Sequence, residues 1–231
     1  MRFHSTILVT TLALVGCGGS GSGDMPDAAG TVNTAIRYEP WTVGSVWSYK
    51  LTDKVMPSMV ALGRKTTIMG AVDVGGIHAG KMAFQVHVEQ LVGAKDVYET
   101  FMGDLDVRYK TVFFDANGTA LSTDVDQPYR LKLDESAARV AANAQFSETF
   151  TETTTPAGGQ PAAPKTKTEQ WHVIANAESL TVLAGTYTTL HVQRTSSTGT
   201  IQDYWYARGV GKVKETGGSY NEELMSYTPG P

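Results

Sequence analysis

The side chains of this sequence that could do chemistry are one thiol, scattered imidazoles and several paired carboxylates. The thiol, Cys17, is the sole cysteine of 231 residues and stands between an apolar run and a glycine-serine tract, in Ala13-Leu14-Val15-Gly16-Cys17-Gly18-Gly19-Ser20. The imidazoles His78, His87, His172 and His191 include no pair at i, i+2 or i, i+4, so they make no local metal signature and no H-E-x-x-H. His87, His172 and His191 each follow the polar register of a strand. Carboxylates pair at Asp104 and Asp106, at Asp124 and Asp126, and at Glu222 and Glu223. Spacing of two on a strand puts Asp104 and Asp106 on one face, as acid-base chemistry would require and as solvated faces also show. Asp115, Asn117 and Thr119 fall at the first ligand positions of a calcium loop. Ala120 then stands where that loop needs glycine, and Asp126 where it needs glutamate, so Asn117-Gly118 reads as hairpin chemistry. No G-x-S-x-G, P-loop or dinucleotide fingerprint occurs. The expectation is therefore no catalytic residue, no metal, no cofactor and no enzyme.

The elements that must position the thiol are legible. Arg2 precedes the apolar run Ile7-Leu8-Val9-Thr10-Thr11-Leu12-Ala13-Leu14-Val15. A membrane-spanning helix needs about 20 apolar residues, so this shorter run reads as the core of a secretory signal peptide. Leu14-Val15-Gly16-Cys17 closely resembles the bacterial lipobox, with small Gly16 at the cleavage position. The resemblance implies a signal peptide over 1–16, lipidation of Cys17 and a protein held on the bacterial envelope membrane by its acyl chains. Two or three chains make dissociation negligible, each buried methylene contributing roughly 0.8 kcal/mol. Gly18 is not the aspartate of inner-membrane retention, which favours the outer membrane. Residues 17–35 are rich in Gly, Ser, Asp and Ala and read as a flexible tether, with a root-mean-square reach of roughly 20–25 Å.

Removing Arg2 leaves 18 Lys and Arg against 23 Asp and Glu, a net charge of −5. That balance excludes nucleic acid as a partner and gives no electrostatic grip on anionic lipid. Without a disulfide, residues 36–231 must hold together by burial, and a stretch of that length suits a single β domain.

From Trp41 onward the apolar pattern has period two. In VGSVWSYKLTD, Trp47, Tyr49 and Leu51 share one side; in KMAFQVHVEQLV, Phe84, Val86 and Val88 alternate with Gln85, His87 and Glu89. YRLKLDE and AQFSETFTETT repeat it. The expected fold is all-β and mainly antiparallel: a curved sheet, half-barrel or barrel, with at most one or two short helices, of which Glu135–Ala144 is the candidate. The stretch 151–169, TETTTPAGGQPAAPKTKTE, lacks large apolar side chains and reads as a long flexible loop.

Two aromatic patterns resemble those of uncharacterised bacterial envelope lipoproteins. They are W-x-x-G-x-x-W-x-Y at Trp41, Gly44, Trp47 and Tyr49, and W-Y-x-x-G-V-G-x-V-K from Trp205 to Lys214. The resemblance implies a predominantly β envelope domain and brings no catalytic residues with it. Gly209 and Gly211 flank Val210 and suit a bend, and Trp205 suits the end of a core. A curved sheet can enclose an apolar hollow. The leading expectation is thus a non-catalytic binding protein whose partner is an apolar ligand, a lipid or acyl chain. The alternative is a scaffold engaging an envelope protein, and a hydrolase ranks third.

Overall fold

A computed structural model describes residues 37–56, 62–90 and 92–231. The expected signal peptide 1–16, Cys17 and the expected tether 17–35 lie outside the described residues.

The alternating segments become twelve strands: β1 (Val46–Asp53), β2 (Leu62–Gly75), β3 (His78–Gln90), β4 (Gly93–Met102), β5 (Leu105–Phe114), β6 (Ala120–Asp134), β7 (Gln145–Pro156), β8 (Lys165–Val182), β9 (Gly185–Thr195), β10 (Ile201–Ala207), β11 (Gly211–Gly217) and β12 (Tyr220–Thr228). Each pairs antiparallel with its sequence neighbours, and β1 pairs with both β2 and β12, so the sheet closes into an up-and-down barrel. Closure leaves no unpaired edge. No helix occurs among the described residues.

The meander sends odd strands one way and even strands the other, so the connections sort to two ends. One end carries the β11–β12 turn at Gly218 and Ser219, together with the starts of β4 and β10. The other end carries the residues before β1 and after β12, and it is closed. Arg37 accepts from the Gly209 amide at 2.7 Å, and the amides of Tyr38 and Glu39 donate to the Glu135 carboxylate at 3.0 and 3.4 Å. Trp41 then lies against Phe101, ring centroids 4.5 Å apart, and edge-on to Phe84 at 5.8 Å.

The period-two reading holds on β1, where Trp47, Tyr49 and Leu51 are buried. The indole of Trp47 donates to Val210 O at 2.5 Å and the Tyr49 hydroxyl to Lys212 O at 2.9 Å. Gly211, at φ +96°, leaves little space for a side chain: a Cβ there would stand 3.1 Å from the Glu39 carboxylate and 3.2 Å from the Trp47 nitrogen, so both would have to give.

Two segments differ from expectation. Glu135–Ala144 is a run of turns, not a helix. Ser136 N–H donates to the Asp134 side chain and Val140 N–H to Ser136 O, but Asn143 turns to φ 65° and its amide pairs with Val173 O at 2.8 Å. The segment is fixed by bonds to other elements before a second helical turn can form. The stretch 151–169 is not a long loop either. Strands β7 and β8 run through it with Thr151 opposite Thr166 and Glu152 opposite Lys165, which leaves 157–164 as the connection. The threonines that looked loop-like are β-branched, and their cross-strand contacts, Thr149 to Thr168 at 2.9 Å among them, stabilise a solvated ribbon without large apolar groups.

Candidate ligand cavity

The barrel is hollow. A cavity of about 460 Å3 runs from Glu39 and Trp41 at the closed end to Gly218, Ser219 and Tyr220 in the exposed β11–β12 turn. Its closed end is aromatic, with Trp41, Trp47, Tyr49 and Tyr206, and Tyr204 follows higher on β10. Its wall is cationic. Seven basic side chains line it: Arg64, Lys95, Arg108, Arg130, Lys132, Arg194 and Lys212.

Strand geometry sets this arrangement. On β4, Lys95, Val97 and Glu99 line the cavity, whereas Asp96 faces away and takes bonds from Gln85 at 2.8 Å and His87 at 2.6 Å. Tyr98 takes the same outward register and packs under Lys110, at 3.9 Å from its ring centre.

Six of the seven cations have carboxylate partners. Arg64 and Lys212 share Glu222, and Lys212 also meets Glu215. Arg108 donates to Asp126 at 3.0 Å, Lys132 lies 3.4 Å from Glu99, and Arg130 and Arg194 share Glu169. Lys95 has no hydrogen bond or ion pair among the described residues, and it borders the cavity. Burial, then repulsion from Arg64, Lys132, Arg108 and Lys212, lowers its pKa to about 7. The buried guanidinium Nε groups of Arg64, Arg130 and Arg194 also lack acceptors among the described residues.

The carboxyl groups divide by their surroundings. Burial raises Glu39 to about 8, because nearby Lys132 and Lys212 only partly oppose it. Asp106, fully buried, is pushed well above the usual range by burial and by the neighbouring Glu99 and Glu39. Glu39 therefore keeps its proton at neutral pH. Burial works the same way on Glu215, but Lys212, Arg64 and Lys132 outweigh it and carry Glu215 down to about 2. Seven basic side chains thus meet five carboxyl partners, Glu99, Asp126, Glu169, Glu215 and Glu222. The basic groups outnumber the carboxyls that pair with them by two, and Lys95 is the one left with no partner among the described residues.

The residues singled out in the sequence are not brought together. His78 lies buried beside Tyr109 and bonds Asp126 O at 2.8 Å; His87 pairs with Asp96. His191 sits between Glu178 and Asp203, at 3.1 and 3.2 Å, and stacks on Trp205. Trp205, expected in the core, is half-buried outside the cavity wall and donates to Glu178 at 3.2 Å. Asp104 is exposed in a turn whereas Asp106 is buried, so they are not a solvated pair. Asp115 accepts from the Asn117 and Thr119 amides at 2.9 and 2.8 Å, which is turn geometry. Among the described residues no group of three His, Cys, Asp or Glu is placed to hold a metal. The sequence reading missed the cationic wall; its one trace was basic residues within alternating strands, as in YRLKLDE.

No family model matches the chain, and no curated protein is similar to it. Among solved structures it is similar to a Bacteroides fragilis chain described as a "putative exported protein with YmcC-like fold". The two share 12% identity over 84% of this chain and 100% of that one, with a TM-score of 0.40. A likeness that distant leaves function to the chain's own residues.

Proposed function

We propose that this chain is a lipid-anchored protein of the bacterial cell envelope, on the outer membrane, and that it acts as a non-catalytic binding protein holding a polar ligand inside its barrel. The observation that carries the binding reading is the hollow itself. An interior of about 460 Å3 lined by seven cations is built against the ordinary preference of protein cores. A partly buried lysine with no carboxylate partner among the described residues is costly to keep charged, so its retention suits a function more than stability. The charged lining does not suit the acyl-chain cargo expected from the sequence, because apolar matter would strip water from those cations and return no bond. The anchor reading rests on the lipobox pattern at Cys17. The chain enters the barrel at its closed end, so an anchored molecule would hold its open end away from the attachment point.

The scaffold alternative has one observation in its favour: Val55, Met56, Val92, Leu121 and Ile201 are exposed around the open end. Native mass spectrometry of protein purified from its own envelope separates the readings. A retained small polar molecule supports the binding protein, and a copurifying protein with an empty barrel supports the scaffold. For the anchor, Cys17→Ser should abolish metabolic labelling by a fatty-acid analogue; equal labelling of both forms contradicts it.

A further inference from the structure

We propose that the hollow receives a small organic anion carrying at least two carboxylate or phosphate groups, with Lys95 as the counter-charge the protein itself leaves unmatched. This rests on the binding reading above and adds the chemical class of the ligand. Charge matching is the first argument. A lining whose basic groups outnumber their carboxyl partners by two is matched by a guest with two anionic groups and by no neutral or cationic one.

Unmet hydrogen-bonding capacity is the second. Lys95 is only partly buried, borders the cavity and has three N–H donors with no partner among the described residues, while the terminal nitrogens of Arg64, Arg130 and Arg194 stand beside it in the same lining. Carboxylate and phosphate oxygens are the acceptors that planar guanidinium groups match. The third argument is shape. The aromatic rings at the closed end give a carbon skeleton faces to rest on, while Arg64 on β2 and Lys95 on β4 lie toward the mouth. The volume falls within the range of small-molecule sites, roughly 300–1,000 Å3.

Calorimetric titration at pH 6.5 with citrate, inorganic pyrophosphate, glucose and spermidine tests the proposal. Saturable binding is expected for citrate, pyrophosphate or both, and none for glucose or spermidine. Citrate alone would indicate carboxylate recognition and pyrophosphate alone phosphate recognition. Lys95→Met should weaken the anion at least tenfold, Lys95→Arg should retain it within a few-fold, and Lys81→Met, which alters an exposed lysine, should change nothing. Because it removes an unpartnered charge, Lys95→Met should also melt at or above the wild-type temperature. A lower melting temperature would give Lys95 a structural role and overturn the assignment. So would equal anion binding by wild type and Lys95→Met, or no binding of either anion. Binding of glucose or spermidine would discard the anion and leave the polar-ligand reading standing. Silence toward all four probes, with nothing retained in the native mass spectrum, would remove both.

Discussion

Glu39 and Lys95 act on stability in opposite directions as pH rises. Glu39 holds its proton to about pH 8 in the folded chain against an ordinary value of 4.5. Its contribution is therefore present below 4.5 and lost as pH rises through about 8. Lys95 falls from 10.5 to about 7, so its contribution is present above 10.5 and lost as pH falls through about 7. Together they predict stability declining from pH 4.5 to 7, holding level between 7 and 8, and recovering above 8. In urea titrations across this range, Glu39→Gln should flatten the decline and Lys95→Met the recovery; curves parallel to wild type would contradict the assignments. The tryptophans part company as well. Trp47→Ala should cost about 3–5 kcal/mol, since the ring is 4% exposed, stacks on Tyr227 and holds Val210 O. Trp205→Ala should cost far less, about 0.5–1.5 kcal/mol for its stack on His191. Denaturant midpoints decide both. Lys95 itself was not legible in the sequence. In Ala94-Lys95-Asp96-Val97-Tyr98-Glu99 polar residues occupy both registers, and alternation cannot say which polar face meets bulk water and which meets a charged interior.

At the scale of elements, alternation served best where one face is apolar, as on β1. It failed for β7 and β8, where threonine supplies strand propensity without apolar bulk, and the correction changes what deletion should do. Replacing 157–164 by a two-residue turn should shift stability by no more than about 1 kcal/mol, because loop-closure entropy depends weakly on length. Excising 153–166 removes paired residues of β7 and should lower the denaturant midpoint clearly. Equal effects of the two deletions would mean that the ribbon beyond residue 152 contributes nothing. The β10–β11 turn was read more closely. Gly209 and Gly211 both take positive φ, 71° and 96°, and β10 bulges between Trp205 and Tyr206. Gly211→Ala should therefore destabilise by about 1–3 kcal/mol, its methyl meeting Glu39 and Trp47. A stability equal to wild type would show that the Glu39 corner has slack.

The whole molecule separates its charges. A formal net charge of −4 conceals an interior whose basic groups outnumber their carboxyl partners by two, so the remainder of the chain is more acidic than its composition suggests. Closure of the sheet makes this possible, because a barrel wall gives charged side chains a common interior that an open sheet would leave to solvent. The all-β barrel-like class was legible from period two and turn spacing. The filling was not, since it depends on which strands face one another across the hollow. The central claim is that this interior is open to small solutes and attracts anions. Thr66 lines the cavity and carries no charge, and Cys17 is the sole cysteine in the sequence. A Cys17→Ser, Thr66→Cys chain therefore places a single thiol inside the barrel. The decisive measurement is the rate at which this thiol reacts with a sulfonate-bearing and a trimethylammonium-bearing methanethiosulfonate, each normalised to its rate on the urea-unfolded chain. The account predicts that the folded protein reacts with both and favours the anionic reagent by tenfold or more. Protection from both until unfolding, or preference for the cationic reagent, would contradict it.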